Sequence, residues 1–171
     1  FADIGDDLNI DPASVRRLVS PRTRAIVPVH YTGKACDMHA LGKIAEEHNL
    51  ALVEDAAQAF GATFGGRKVG SFGRLAAFSM NPMKVLAGCG EAGAVVTDDR
   101  ELFERLEALR YNGCINRETC VEASLNGRMD TLEAAILLKR LPRLPALIAA
   151  RRRNAAQYDA LLKGLVETPP L

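Results

Sequence analysis

The feature that most constrains this chain is a strand–helix–strand unit near its start. The run 23–31, Thr-Arg-Ala-Ile-Val-Pro-Val-His-Tyr, is β-branched, apolar and closed by Gly33, which predicts a buried strand. Asp37 offers an N-cap for a helix to about His48, with Leu41, Ile44 and Ala45 on one face and Asn49 as its stop. Leu50-Ala51-Leu52-Val53-Glu54-Asp55 then predicts a second strand. A unit of about 30 residues has the length of a right-handed βαβ crossover, which makes the two strands parallel and lays the helix on one face of the sheet.

The alternation continues beyond it. Glycines at 61, 65, 66, 70 and 73 mark a turn-rich stretch with a hairpin expected around Gly65-Gly66. A strand at 75–80 ends at Asn81-Pro82, and another at 93–97 leads through Asp98-Asp99 into a helix to about Arg110. A loop with Asn112-Gly113 follows, and a helical pattern from Asp130 is split by Pro142 and Pro145 into helices at about 130–141 and 145–163. The fold class is α/β, a mostly parallel sheet flanked by helices. The opening Phe1-Ala2-Asp3-Ile4 reads as a strand fragment and the end as Thr168-Pro169-Pro170-Leu171, so both ends are expected to be cuts through a longer protein.

Composition excludes several classes of function. With 22 Lys+Arg against 21 Asp+Glu and 5% aromatics, nothing favours nucleic acid as a partner. The longest uncharged run, 56–66, is 11 residues, against the ~20 apolar residues of a membrane helix. At 48% hydrophobic residues the chain can bury a core, so it is expected to be a folded, cytoplasmic protein with no secretory leader. Cys36, Cys89, Cys114 and Cys120 match neither a zinc knuckle nor a CxxC pair, and His30, His39 and His48 lie apart, so no metal site is expected and the thiols are read as free.

In open α/β sheets ligands bind at the carboxyl ends of the strands. Three strand ends carry unusual residues: His30; Asp55, with Gln58 three positions on; and Ser79, with Lys84 five positions on. A carboxylate ending an apolar strand must be paired or hydrogen-bonded; Asp55 is a ligand-binding group or the cap of a following helix. Lys84, flanked by Ala87-Gly88-Cys89-Gly90, is a Schiff-base former or a solvated loop lysine. Neither a Walker A pattern nor a G-x-G-x-x-G opening a helix is present, and Arg151-Arg152-Arg153 reads as a solvated helix face.

Taken together, several blocks resemble the DegT/DnrJ/EryC1/StrS sugar aminotransferases. They are Ile26-Val27-Pro28-Val29-His30-Tyr31-Thr32-Gly33, Val53-Glu54-Asp55-Ala56-Ala57-Gln58-Ala59-Phe60-Gly61-Ala62 and Phe78-Ser79-Met80-Asn81-Pro82-Met83-Lys84. Gly90-Glu91-Ala92-Gly93-Ala94-Val95-Val96-Thr97-Asp98-Asp99 and Asn126-Gly127-Arg128-Met129-Asp130-Thr131-Leu132-Glu133-Ala134-Ala135-Ile136-Leu137 continue the match in family order and at family spacing.

The resemblance implies the large domain of a fold-type-I, aspartate aminotransferase-like enzyme that uses pyridoxal 5′-phosphate (PLP). Such an enzyme works as a homodimer with a shared active site. It moves an amino group, usually from L-glutamate, onto a nucleotide-linked ketosugar or related cyclitol in polysaccharide or secondary-metabolite biosynthesis. By the same resemblance Lys84 holds the cofactor as a Schiff base, Asp55 pairs with its pyridine nitrogen and Gln58 lies beside the ring near the phenolic oxygen. Ser79 binds the phosphate, Asn126 reaches that phosphate from the neighbouring subunit, and His30 falls near the site without an assigned role.

Asn81 and Val85 depart from the residues usual around the lysine, which leaves the identity of the sugar open. The family's N-terminal phosphate loop, its ring-stacking aromatic residue and its small C-terminal domain have no counterpart in this sequence. On this reading residues 1–141 belong to the PLP-binding large domain and 142–171 lead toward the small one, and this stretch alone is expected to be inactive. A dehydratase of the same family would carry His in place of Lys84, and a non-catalytic binding module would keep the fold without the chemistry.

Overall fold

The computed structural model describes residues 1–168; the Pro169-Pro170-Leu171 end lies outside the described residues. The elements run α1 (Pro12–Leu18), β1 (Ala25–Ile26), α2 (Met38–Glu47), β2 (Ala51–Asp55), β3 (Thr63–Phe64), β4 (Arg67–Lys68), β5 (Leu75–Ser79) and β6 (Gly93–Val96). After them come α3 (Arg100–Arg110), β7 (Cys114–Ile115), β8 (Thr119–Cys120), α4 (Thr131–Arg140), a 3-10 turn (Leu141–Arg143) and α5 (Leu144–Leu162). The central sheet has the order β1-β2-β5-β6, with β1, β2 and β5 parallel and β6 antiparallel to β5.

The predicted βαβ unit is present. The Asp37 side chain accepts the Ala40 N–H to cap α2, and Asn49 takes the left-handed conformation, φ 52°, that ends it. Leu41, Ile44 and Ala45 are buried on one face of α2 and pack with Met38, Val15, Ile26 and Leu52 into the main core. Burial of side chains as large as Leu41 and Ile44 stabilises by about 1.5–3 kcal/mol each. The hairpin around Gly65-Gly66 is also present, as β3 and β4. Asp99 caps α3, and the proline-split helices appear as α4 and α5.

Three expectations need correction. The run 23–31 is only half buried: Ile26, Pro28 and His30 are buried, whereas Val27 and Val29 are 53% and 39% exposed. The ladder is also brief, because Pro28 has no N–H to give, although its carbonyl accepts from Asp55 N and pairing resumes at Val29. An all-apolar strand is the signature of a sheet covered on both faces, and in this chain α1 and α2 cover one of them.

The start of the chain is not a strand; Ile4 forms an isolated bridge with Ile10, and α1, capped by Asp11, was not foreseen. Nor was the β7–β8 hairpin in the loop after Asn112-Gly113.

Strand register places the candidate residues. Asp55 pairs with Ala77, Ala77 with Val95 and Ser79 with Gly93, while Val29 bridges Asp55. Paired residues share a sheet face, so Val29, Asp55, Ala77, Ser79 and Val95 lie on the face opposite the Leu52–Glu54–Ala76 core side.

Candidate active site

Asp55 closes β2, where its N–H donates to Pro28 O (2.9 Å) and its carbonyl accepts from His30 N (3.1 Å). Its Oδ1 accepts from Ala57 N at 3.0 Å, a turn bond rather than a helix cap, since residues 56–62 form turns. That bond orients a half-buried carboxylate on the open sheet face. Gln58, three residues on, is exposed.

Behind Asp55, on the core side, lies a network that no sequence motif announces. His30 and Glu54 are both completely buried, with His30 Nε2 and Glu54 Oε2 3.2 Å apart. Cys36 N donates to His30 Nδ1 (3.0 Å), so Nδ1 must be an acceptor and the ring is held as the Nε2–H tautomer that donates to Glu54. Glu54 also accepts from Gly70 N (2.7 Å), Phe72 N (2.7 Å) and Gly73 N (2.6 Å). Burial pushes the Glu54 carboxyl up, but the bonds from His30, Gly73, Gly70 and Phe72 outweigh it and hold the group below the usual carboxylate range. The signal available in sequence was an acid inside an apolar strand, which is affordable only when fully partnered.

The lysine-bearing loop leaves the end of β5. Asn81 N lies 3.4 Å from Ser79 Oγ, Lys84 N donates to Asn81 O (2.9 Å), and Gly88 N returns to Met80 O (2.7 Å). Asn81 is braced in turn, its side-chain amide donating to Glu91 (2.7 Å) and its Oδ1 accepting from Met83 N (2.8 Å). From α4, Glu133 accepts from Cys89 N at 2.8 Å. A Cβ on Gly88 would sit 1.8 Å from the same carboxylate and 3.0 Å from Met80 O, so a larger residue there would have to push the Glu133 carboxylate off the loop. Leu86 anchors the loop in a core cluster with Leu137 and Leu144. Lys84 is thereby carried, half-buried, on a loop tied at several points.

Gln58, Met83 and Val85 line one cleft of about 1220 Å³, which opens between the 31–35 loop and Arg151, Arg152 and Tyr158 of α5. Asn126 stands apart. It is exposed, bridges Tyr111, and its Oδ1 accepts from Arg128 N (3.3 Å) and Nε (3.0 Å). Among the described residues it makes no hydrogen bond to Asp55, Gln58, Ser79 or Lys84, and no group of three or more His, Cys, Asp or Glu is arranged for a metal. No helix among them is long and apolar enough to cross a membrane.

The residue types fit PLP: a fixed carboxylate for a ring nitrogen, a hydroxyl at the adjacent strand end for a phosphate, and a primary amine on a braced loop for an aldehyde. A Streptomyces venezuelae structure, DesV in complex with a ketimine intermediate, superposes with a TM-score of 0.92 at 42% identity, over 96% of this chain and 45% of that one. The fold is therefore that of the large domain of PLP-dependent aminotransferases.

The model of the DegT/DnrJ/EryC1/StrS aminotransferase family matches residues 1–171, and the chain belongs to that family, whose cofactor is PLP. Among curated relatives, the dTDP-3-amino-3,4,6-trideoxy-alpha-D-glucose transaminase of Streptomyces venezuelae is 44% identical over 94% of this chain and 42% of its own length. The pleiotropic regulatory protein of Geobacillus stearothermophilus is 40% identical over 99% of this chain and 47% of its own. The chain thus spans less than half the length of these relatives.

Proposed function

We propose that this chain supplies the cofactor-binding core of an aminotransferase that moves an amino group from an amino acid, L-glutamate in our reading, onto the keto carbon of a nucleotide-linked sugar or related cyclitol. The observation that carries the reading is the placement of Asp55 and Ser79 on one face of adjacent strand ends, with Lys84 five residues beyond Ser79 on a loop pinned by Asn81, Met80 and Glu133. The working enzyme in this reading is a homodimer in the cytoplasm, supported by the exposure of Asn126, which leaves it free to serve another subunit, and by four unpaired cysteines.

In this mechanism Lys84 Nζ would hold PLP through its aldehyde, Asp55 would pair with the ring nitrogen, Ser79 Oγ would bind the phosphate and Gln58 would contact the ring. Bound there, the cofactor supplies the electron sink for charge left on a carbon that loses its proton. The Ala57 N–H fixes the Asp55 carboxylate, so a charge is ready where the ring nitrogen needs it without rearrangement. Lys84 Nζ, once the amino donor is bound, would take the proton from the donor α-carbon and deliver it to the cofactor carbon that must gain it, rather than return it to the donor. A proton carrier so placed contributes about 10²–10⁴-fold. The cleft lined by Gln58 and by Met83 and Val85, the chain neighbours of Lys84, is wide enough for a nucleotide sugar, although Lys84, Asp55 and Ser79 are not among its lining residues.

A regulatory module that keeps the fold is the second reading, suggested by the name of the Geobacillus relative. The presence of Lys84 argues against a dehydratase. The deciding experiment takes the full-length protein, adds PLP, reduces with borohydride and maps the adduct by peptide mass spectrometry. A phosphopyridoxyl group on Lys84, together with conversion of bound PLP to pyridoxamine phosphate by glutamate, is the expected result. A Lys84 adduct after reduction, with glutamate leaving the bound PLP of an unreduced sample unchanged, would favour the regulatory module, and no adduct at Lys84 would overturn the enzyme reading and favour a module without the cofactor.

A further inference from the structure

We infer that Cys114 and Cys120 form a dithiol site that closes to a cross-strand disulfide on exchange with a low-molecular-weight disulfide. The two residues are direct partners in the β7–β8 hairpin. Val121 N donates to Gly113 O at 2.8 Å, a bond between the residues just outside the pair, which makes Cys114–Cys120 a non-hydrogen-bonded position. Such positions bring Cα atoms to about 4.5 Å, inside the range of about 4.4–6.8 Å that a disulfide spans.

The thiols also converge: Cys114 Sγ and Cys120 Sγ lie 3.7 Å and 3.8 Å from one acceptor, Asn112 O. Burial, then the neighbouring Cys120, push the Cys114 thiol up, as expected of two sulfurs close enough to sense each other. Register is set at both ends of the hairpin. Asn116 and Arg117 turn its tip with φ 49° and 67°, and at its base a Cβ on Gly113 would lie 1.5 Å from Glu122 O, so only glycine lets the strands meet there.

Cys120 is exposed and so is the entry point. Its thiolate attacks one sulfur of the small disulfide RSSR, forming a mixed disulfide and releasing RS⁻, which takes up the proton lost by Cys120. The Cys114 thiolate then attacks Cys120 Sγ, the Cys114–Cys120 bond forms, and a second RS⁻ leaves and takes up the proton from Cys114. Two protein thiols are oxidised and one RSSR is reduced to two RSH, so atoms and electrons balance. Cys36, fully buried, and Cys89, in the lysine loop, have no cysteine partner across a strand.

The bond would tie the excursion between Tyr111 and Asn126, whose base is held by Asn112 N to Leu125 O (3.2 Å) and Gly127 N to Arg110 O (2.9 Å). Any consequence for cofactor binding rests on the proposed role of Asn126; the disulfide itself does not.

The test equilibrates the full-length, PLP-loaded protein in buffers of reduced and oxidised glutathione, quenches with acid and maps the alkylated peptides. We expect one intramolecular 114–120 cross-link, loss of two hydrogens in mass, full recovery with dithiothreitol, and alkylated Cys36 and Cys89. In the oxidised protein the amides of 111–127 should exchange with deuterium more slowly, by up to about 50-fold for a loop this short. Cys120→Ser should abolish both effects and leave glutathione on Cys114. Glutathione remaining on single cysteines of the unaltered protein, or cross-links only between chains, would overturn the site. A 114–120 bond that leaves PLP retention unchanged would uphold the site and count against the role given to Asn126.

Discussion

His30 and Glu54 meet at 3.2 Å with no solvent exposure, on the core side of the strand pair whose other face presents Asp55. The pair does two jobs for the site. Glu54 gathers three backbone N–H groups of the 70–73 turn, and His30, fixed through Cys36 N, anchors the strand end that hydrogen-bonds Asp55. The proposed cofactor carboxylate thus stands on a polar support that is fully hydrogen-bonded, which makes the support rigid and also sensitive to damage.

Removal of the Glu54 carboxylate should be costly. Glu54→Ala leaves the N–H groups of Gly70, Phe72 and Gly73 and the His30 ring without their acceptor, an expected loss of about 3–5 kcal/mol in urea unfolding. The pH dependence follows from the sign of the shift. A carboxyl held low in the folded protein contributes stability that is complete above its unfolded value, near 4.5, and is lost as pH falls through the lower folded value. Unfolding midpoints of the parent protein should therefore drop steeply below about pH 4.5, and those of Glu54→Gln should drop less.

Cys36 predicts the alkaline counterpart. Burial raises its thiol to about 12. A group whose folded value is raised contributes stability that is complete below its unfolded value, about 8.5, and is lost as pH climbs toward the folded one. Cys36→Ala should therefore flatten the stability profile between about pH 9 and 12 relative to the parent protein. In native alkylation near neutral pH, Cys89 should react and Cys36 should not, because the thiolate is the reacting form.

The glycine under Glu133 offers a test of the lysine loop. Gly88→Ala places a methyl where the Glu133 carboxylate now sits and should cost about 1–3 kcal/mol while displacing the loop that carries Lys84. The yield of borohydride-trapped PLP should fall with it. Combining Gly88→Ala with Glu133→Ala should cost less than the sum of the two, by about 0.5–3 kcal/mol in a double-mutant cycle. Strict additivity would show that helix α4 does not brace the loop.

Asp55→Asn separates folding from chemistry. The amide keeps an oxygen for Ala57 N, so thermal unfolding should move by less than about 1 kcal/mol. Turnover of the full-length enzyme should fall by a factor of 10² or more, on the order of losing one preorganised electrostatic contact. The absorption of bound PLP should change as well if Asp55 is the partner of the ring nitrogen, as proposed. A variant with parent-like turnover would remove Asp55 from the mechanism.

Much of this was legible in the residues as they follow one another. The caps at Asp37 and Asp99, the stop at Asn49, the Gly65-Gly66 hairpin and the Pro142 and Pro145 break are settled within a turn or two of chain, where neighbours satisfy or deny each other's backbone bonds. The βαβ length also put Asp55 at a strand's carboxyl end, where β2 closes on it.

What only the tertiary structure decided involves partners far apart in the chain. Glu54 waited for His30, 24 residues away, and for a turn 16–19 residues away before its burial made sense. Gly88 met Glu133 only when α4 packed on the loop, and Cys114 found Cys120 through a hairpin that neither cysteine spacing nor apolar pattern announced. Which sheet face holds α2 and which presents Asp55 likewise follows from packing. The physical reason is common to all of them: local hydrogen bonding is written in adjacent residues, whereas a buried charge, a close backbone approach or a cross-strand pair exists only once distant segments have displaced the water between them.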